Sequence, residues 1–416
     1  MELSDKGKPL TDILQNIEGF IGYSENNFPK LHKGKSRSLI LTELEDRLKI
    51  DLDYSSGKVL GAMTTPPHDF ARYIYSKFID RNLGDRGLNP GTAAIEKEVI
   101  EMLGNLLGDP YVDGNITSGG TEANIIAMLL AKQNNLDIKE PSIVIPDSAH
   151  YSFDKAAILM GLKVKRAKLL SNYHLDFDHY ESLIDDNTIA LVGILGTSAL
   201  GLIDPIEKIG KLAGKYNKYF HVDAAFGGLV VPFMEELGYD FPPYNLKVPE
   251  ICSYTVDPHK MGMSVNPSGS LLVKDSNVNS FKFEIPYLAG GAFPSYNILG
   301  TRPGASAISF WGLMQFMGKQ GFVENVRHSL ENTYYLKDQI EEIPELKIAT
   351  EPTMNVLGIQ MSSKANMSLD RFNSLLRQKG WALGVFKQWN LLRVVLMPHI
   401  KKSHLAEFLK DVKAIF

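Results

Sequence analysis

The chain has 416 residues, 44% of them hydrophobic and 22% charged, which is typical of a folded globular protein and not of a disordered one. Lys and Arg number 44 against 48 Asp and Glu, and the net charge of −4 excludes the strongly basic surface of a nucleic-acid-binding protein. The single cysteine, Cys252, excludes an intrachain disulfide and a multi-cysteine metal site, so we expect no bound metal.

The N-terminal segment MELSDKGKPLTDIL is polar and lacks the basic start and apolar stretch of a signal peptide. The longest apolar runs, such as TIALVGILG at 188–196, suit buried strands and are too short to span a bilayer. The sequence therefore predicts a soluble, cytoplasmic protein without a membrane partner.

The pattern of apolar residues predicts three parts. Residues 1–60 are mixed and polar, which is typical of an N-terminal arm. Over 61–304, short apolar runs alternate with amphipathic segments, which predicts a large α/β domain with a mostly parallel sheet. Residues 305–416 predict a small α+β domain. The predicted elements are helix 92–108, strand 142–146, helix 154–161, strands 164–169 and 188–196, helix 205–216, strands 219–225, 251–256 and 270–275, helices over 305–343, 369–380 and 403–415, and strands LKIAT, NVLGIQM and LRVVLM.

Three short motifs carry residues that are suited to chemistry. The first, SGGTEAN at 118–124, lies between a predicted strand and a predicted helix. Its glycines let backbone N–H groups approach an anion, the helix N-terminus adds partial positive charge, and Thr121 supplies a hydroxyl. The motif is interpreted either as a phosphate cradle or as a plain turn with a threonine helix cap.

The second motif, HVDAAFGG at 221–228, places a carboxylate at the end of an apolar strand. Burial of Asp223 is costly unless its carboxylate meets a cation. Because side chains two residues apart in a strand share a face, a metal site with His221 and Asp223 is an alternative, although no further ligands cluster nearby. A cap of the following turn is the alternative without chemistry.

The third motif, DPHKMG at 257–262, follows a predicted strand, where α/β sheets bind ligands. A lysine there forms an imine if its amine is kept partly neutral, whereas an ordinary surface lysine is the alternative. Together the motifs match the needs of pyridoxal phosphate. They supply an anchor for the phosphate, a carboxylate for the protonated ring nitrogen and a lysine that holds the aldehyde.

The segments NPGTAAIE, SGGTEAN, SAHYSFDKAA, HVDAAFGG and DPHKMG, in this order, resemble the group II pyridoxal-phosphate decarboxylases of fold type I. The resemblance covers roughly residues 60–400 and is greatest to the archaeal tyrosine/aspartate decarboxylases. It implies a mostly parallel sheet in a large domain with a small α+β C-terminal domain. It also implies pyridoxal 5′-phosphate as the cofactor and a homodimer with active sites at the subunit interface.

The resemblance assigns cofactor contacts to residues of these motifs. It makes Lys260 the lysine that bonds the cofactor, Asp223 the partner of the ring nitrogen and His150 the imidazole stacked on the ring. The other implied contacts are Gly120 and Thr121 at the phosphate, Ala225 on the opposite ring face, His259 on the phosphate side, Ser198 where relatives usually carry Thr, and Asp257 where aromatic decarboxylases carry Asn.

Further residues are assigned to the substrate and to the partner subunit. Tyr287 in IPYLAGG matches the mobile-loop tyrosine that protonates the α-carbon. Thr301 and Arg302 in LGTRPG resemble a segment that reaches the phosphate from the partner subunit. Arg393 in LLRVVLMPH matches the arginine that holds the substrate α-carboxylate. For each of these, ordinary packing or an acidic partner within the chain is the alternative.

The implied reaction converts an L-amino acid to its amine and carbon dioxide. Aspartate to β-alanine and tyrosine to tyramine are the main expectations, and we favour aspartate because no aromatic-rich segment can be placed in the pocket. β-Alanine would serve coenzyme A biosynthesis. Asn82, and more weakly Asp85, resemble the contact to the distal acid in glutamate decarboxylases, with helix capping as the alternative. L-Glutamate decarboxylation, a carbon–carbon lyase similar to sphingosine-phosphate lyase and a non-catalytic scaffold are the competing hypotheses.

Overall fold

The structure is a computed structural model that describes residues 34–274, 283–291, 293–295 and 297–416. The chain divides into two compact units, Met1–Leu52 and Asp53–Phe416. In the first unit the structure describes one helix, α1 (Arg37–Leu48), whose N-terminus is capped by Ser36 and which has no buried residue. The predicted boundaries at residues 60 and 304 stay predictions.

A seven-stranded sheet forms the centre of the second unit. Its strands are β1 (Asp113–Thr117), β2 (Ser142–Pro146), β3 (Lys163–Ala167), β4 (Thr188–Ile194), β5 (Tyr219–Asp223), β6 (Ser253–Val256) and β7 (Gly269–Val273). They lie in the order β1-β7-β6-β5-β4-β2-β3. The pairs among β2 to β6 are parallel, whereas β7 is antiparallel to both β1 and β6. The mostly parallel sheet predicted from the sequence is therefore confirmed.

Both faces of this sheet are covered by helices, which explains why its strands are apolar runs instead of alternating patterns. Val144 and Leu191 point into one buried cluster, while Ile143 and Ile145 point into the other. The helices of this part are α2 (Asp69–Lys77), α3 (Pro90–Leu106), α4 (Gly120–Gln133), α5 (Ser152–Met160), α6 (Phe177–Ser182), α7 (Ile206–Tyr216) and α8 (Val231–Glu235), with 3-10 turns at Tyr54–Ser56 and Gly227–Leu229.

The C-terminal part contains a smaller, antiparallel sheet, as expected. A short hairpin, β8 (Phe283–Ile285) with β9 (Phe293–Ser295), precedes the long helix α9 (Gly304–Glu341), which is interrupted at Gly318. The sheet has the strand order β10-β11-β13-β12, and two helices and a 3-10 turn accompany it. Its elements are β10 (Leu346–Ile348), β11 (Val356–Met361), α10 (Leu369–Gln378), β12 (Gly384–Phe386), Lys387–Trp389, β13 (Leu391–Val395) and α11 (Lys402–Lys413).

No helix in the described ranges is both long enough and apolar enough to cross a membrane.

Gly269 in β7 allows the loop after β1 to approach the sheet closely. A Cβ atom at this position would lie 2.4 Å from Cα of Gly119 and 2.7 Å from Oγ1 of Thr117. Since neither a backbone atom nor a buried hydroxyl can yield that far, any side chain at 269 displaces the loop that begins α4.

We expect Gly269→Ala to lower the free energy of unfolding by about 1–3 kcal/mol, because the added methyl group overpacks this contact. Gly91→Ala is the matched control, since a Cβ at position 91 would have no heavy atom within 4 Å. Thermal unfolding of the two variants and the parent chain tests this. Equal midpoints for all three proteins would show that the contact is not tight.

Candidate active site

One cavity of about 260 Å³ lies at the carboxyl edge of the central sheet. The loops that follow β1, β2, β4, β5 and β6 converge there, and this edge is where open α/β sheets bind ligands. Nine of the residues that the sequence predicted for the cofactor line this cavity together, namely Gly120, Thr121, His150, Ser198, Asp223, Ala225, Asp257, His259 and Lys260.

The N-terminus of α4 forms one wall of the cavity. Its first backbone N–H groups have no partner within the helix and carry partial positive charge, which suits an anion. Gly119 before the helix has φ +150°, and the Ser118 N–H donates to Oε2 of Glu122 at 2.6 Å. A Cβ at Gly120 would lie 2.8 Å from Oδ2 of Asp257 and 3.1 Å from Cβ of Ala225. A side chain at position 120 would therefore crowd Asp257 and Ala225 in the cavity wall.

Asp223 is a buried carboxylate at the end of β5, with only 6% of its surface exposed. The backbone N–H of Ala225 donates to Oδ1 at 3.1 Å, and the side-chain amide of Asn124 donates to Oδ2 at 2.9 Å. Among the described residues Asp223 forms no ion pair. A buried carboxylate without a cation is costly, so this site is built to receive a cationic group from a ligand.

Lys260 follows β6 and points into the same cavity. Its Nζ lies 3.2 Å from Oδ2 of Asp257, and the Asp257 side chain is 2% exposed. The other carboxylate oxygen of Asp257 is buried without a hydrogen-bond donor among the described residues. Asp257 thus contacts the lysine that was predicted to bond the cofactor, and this ion pair must open before the amine reacts.

Two histidines line the cavity in their neutral form. Burial lowers the pKa of His150, and burial likewise lowers the pKa of His259. The ring of His150 lies 4.1 Å from that of Tyr151, and its Nδ1 accepts from the Ser152 N–H at 3.3 Å. The His259 Nδ1–H donates to the carbonyl oxygen of Ser268. A neutral imidazole loses no ionic hydration when an aromatic ring stacks on it, so His150 suits the predicted role.

Asn82, Tyr287, Thr301 and Arg393 do not line the cavity. Oδ1 of Asn82 accepts from the backbone N–H groups of Gly84 at 2.7 Å and Arg302 at 3.1 Å, so its side chain joins two loops instead of facing a ligand. Tyr287 is 84% exposed and Thr301 is also exposed.

Arg302, which was predicted to reach the phosphate of the partner subunit, is only 4% exposed and turns into its own chain. Its guanidinium forms an ion pair with the buried Glu96 and donates to the carbonyl of Ile116 at 3.1 Å. Asp85 accepts from the backbone N–H groups of Leu88 and Gly290, each at 3.1 Å. Both side chains therefore hold backbone segments in place, which is the alternative without chemistry.

Arg393 in β13 is half-buried next to one wall of the cavity. Its guanidinium donates to the carbonyl of Ser198, a cavity residue, and to that of Gly61, and it packs on the ring of Phe386 at 5.3 Å. Among the described residues it has no ion pair, and its buried Nε has no acceptor. Burial lowers its pKa to about 10, which still leaves a cation at neutral pH. Arg393 therefore retains both charge and donor capacity for an anionic ligand.

The sequence motifs did not single out Asn124, and they indicated His221 only as a ligand in the alternative metal site with Asp223. In the structure Nε2 of His221 lies 3.0 Å from Oδ1 of Asn124, and its Nδ1 lies 2.7 Å from Oγ of Ser253. Among the described residues no cluster of three or more metal-ligating side chains is found. The signal for Asn124 was its place one helical turn after Gly120, on the face of α4 that meets β5.

The residues of the cavity fit pyridoxal phosphate. A helix N-terminus opened by glycine suits its phosphate, an uncompensated buried carboxylate suits its protonated ring nitrogen, and a lysine amine suits its aldehyde. The fold and the cavity thus define a pyridoxal-phosphate enzyme of fold type I.

Comparison with known proteins agrees with this class. The pyridoxal-dependent decarboxylase conserved domain matches residues 72–361, and the chain belongs to this family. The "Probable L-aspartate decarboxylase" of Pyrococcus abyssi is 41% identical over 94% of this chain and 99% of its own. The "Probable L-tyrosine/L-aspartate decarboxylase" of Methanothermobacter thermautotrophicus is 39% identical over 88% of this chain and 99% of its own.

Among solved structures, the sphingosine-1-phosphate lyase of Burkholderia pseudomallei is similar with a TM-score of 0.84 and 25% identity, covering 93% of this chain and 92% of that one. The enzyme described here is a pyridoxal-phosphate-dependent amino acid decarboxylase.

Proposed function

We propose that this enzyme decarboxylates L-aspartate to β-alanine and carbon dioxide. The observation that carries amino acid binding is Arg393, a half-buried cation without an acidic partner among the described residues, whose guanidinium donates to the carbonyl of Ser198 in the cavity wall. An arginine in this state suits the α-carboxylate that every amino acid carries, so it supports the binding of an amino acid and does not by itself select aspartate. The names of both relatives described above include aspartate, which supports the choice.

The size of the cavity supports a small substrate. Its volume of about 260 Å³ is at the lower end for ligand sites, and it must accept the cofactor as well. Tyr151, Phe226 and the two histidines, His150 and His259, are the aromatic side chains among its lining residues. L-Tyrosine is the second candidate, because the Methanothermobacter relative is named for both amino acids, and L-glutamate is the third.

When bound, pyridoxal phosphate would supply an aldehyde for the substrate amine and a ring that takes up the electron pair left by the departing carbon dioxide. In the proposed reaction Arg393 binds the α-carboxylate of the substrate and thereby orients it. The neutral His150 shields the cofactor from water. The carboxylate of Asp223 keeps a proton on the ring nitrogen. The amine of Lys260, once released from Asp257, carries protons to and from the substrate nitrogen. A proton then replaces carbon dioxide on Cα, so the reaction consumes one proton.

We further propose a cytoplasmic homodimer in which Tyr287 and Thr301 serve the partner's cavity. Both residues are exposed and lie outside the cavity of their own chain, which supports a role in trans. In this arrangement the Tyr287 phenol is the donor of the proton to Cα. β-Alanine formed by the enzyme would enter coenzyme A biosynthesis.

The substrate proposal predicts that purified, cofactor-loaded protein forms β-alanine from L-aspartate faster than it forms tyramine from L-tyrosine or 4-aminobutyrate from L-glutamate. Incubation with each amino acid and mass spectrometry of the amines tests this. Faster tyramine formation would show that L-tyrosine, and not L-aspartate, is the preferred substrate. Aldehyde release from a phosphorylated amino alcohol without any amine product would instead favour the carbon–carbon lyase hypothesis.

The role of Arg393 predicts that Arg393→Lys lowers kcat/KM about 10- to 100-fold, mainly through KM, because lysine keeps the charge but loses the planar pair of donors. Arg377→Lys, an exposed arginine on α10, is the matched control and should change kcat/KM less than twofold. Initial rates of carbon dioxide release at varied substrate concentration give both constants. An unchanged KM of the Arg393→Lys variant would show that Arg393 does not bind the substrate.

A further inference from the structure

Asn124 on α4 makes four hydrogen bonds behind Asp223. Its Nδ2 donates to Oδ2 of Asp223 and to Oγ of Ser152, both at 2.9 Å. Its Oδ1 accepts from the hydroxyl of Thr255 at 2.8 Å and lies 3.0 Å from Nε2 of His221. All five residues are buried, so these bonds lie in surroundings of low polarity, where they are stronger than in water. Every donor and acceptor of the Asn124 side chain is therefore used within the protein.

The carboxylate of Asp223 determines which atom donates in each of these hydrogen bonds. An ionised carboxylate only accepts, so the nitrogen of Asn124 must face Asp223 and its oxygen must face His221. Because that oxygen also only accepts, Nε2 of His221 must carry a proton. Burial lowers the pKa of His221 to about 4, so the ring is neutral and its Nδ1 is an acceptor. The hydroxyl of Ser253, 2.7 Å from Nδ1, then donates to it.

We infer that Asn124 is a positioning residue. It is the last donor in a hydrogen-bond chain in which Ser253 donates to His221, His221 donates to Asn124 and Asn124 donates to Asp223. The chain delivers a fixed N–H to one oxygen of a buried carboxylate, while the Ala225 N–H holds the other. Both bonds stabilise the anion and set its orientation. Asn124 thereby determines how strongly Asp223 binds the protonated ring nitrogen of the cofactor.

A purely structural role would need only that the space behind Asp223 be filled. The inference requires more, since the group at position 124 must donate to Asp223 and the group at position 221 must donate to Asn124. Asn124→Asp keeps the shape but places an oxygen against Oδ2 of Asp223, so two acceptors meet in a buried site. His221→Gln keeps an N–H donor for Asn124, whereas His221→Leu has none.

The test compares Asn124→Asp, His221→Gln and His221→Leu as purified proteins titrated with pyridoxal 5′-phosphate. The readouts are the dissociation constant of the cofactor and the pH dependence of its absorption band when bound. We expect Asn124→Asp and His221→Leu to raise the dissociation constant at least about tenfold and to shift the pH at which the band changes. His221→Gln should restore both readouts to within about threefold of the parent.

His179→Gln and His179→Leu are the matched controls, because His179 lies on α6 away from the cavity and its Nδ1 accepts from the Lys168 backbone. Neither should change the cofactor band. Circular dichroism establishes that each variant is folded, and if Asn124→Asp does not fold, the pair at position 221 decides. Equal effects of His221→Gln and His221→Leu, or an Asn124→Asp variant that binds the cofactor like the parent, would overturn the inference.

Discussion

The site depends on one buried carboxylate without a cation. Asp223 lies at the carboxyl end of β5, and two donated N–H bonds, from Ala225 and Asn124, fix the positions of its two oxygens. Such a group lowers the stability of the free protein and gains its compensation when a cationic ring nitrogen arrives. The parallel strands serve this arrangement, because they bring the ends of β1, β4, β5 and β6 to one edge, where the helix N-terminus at Gly120 and the amine of Lys260 meet the same cavity.

The substrate side of the site has the opposite imbalance. Arg393 is a half-buried cation whose guanidinium is held by two carbonyl oxygens and has no acidic partner in the described part of the chain. One uncompensated anion and one uncompensated cation, both held by neutral hydrogen-bonding groups, match the two ionic groups that the proposed reaction requires the site to hold at once. The ion pair of Asp257 with Lys260 keeps the reactive amine in place meanwhile. In the proposed site the small C-terminal sheet contributes Arg393.

Apolar runs alone predicted the central sheet well, and the strand 142–146 has these bounds in the structure. They could not predict that β7 runs antiparallel, because an apolar run carries no direction. Helix α2 is absent from the predicted elements because two prolines, Pro66 and Pro67, directly precede it, whereas in the structure the His68 side chain caps the helix by accepting from the Phe70 N–H. Nine site residues were predicted from motifs, but Asn124 and His221 acquire their roles only through contacts between α4 and β5.

The central claim is that the Asp223 charge makes the bound cofactor an effective electron acceptor. Asp223→Asn removes that charge and leaves Lys260 and the cradle at Gly120 intact. Measurement of the rate of carbon dioxide release from Asp223→Asn protein saturated with cofactor tests the claim most directly. We predict that the variant still binds pyridoxal phosphate and that the rate falls by about 10²–10³-fold. A loaded variant whose rate stays within tenfold of the parent would contradict the account.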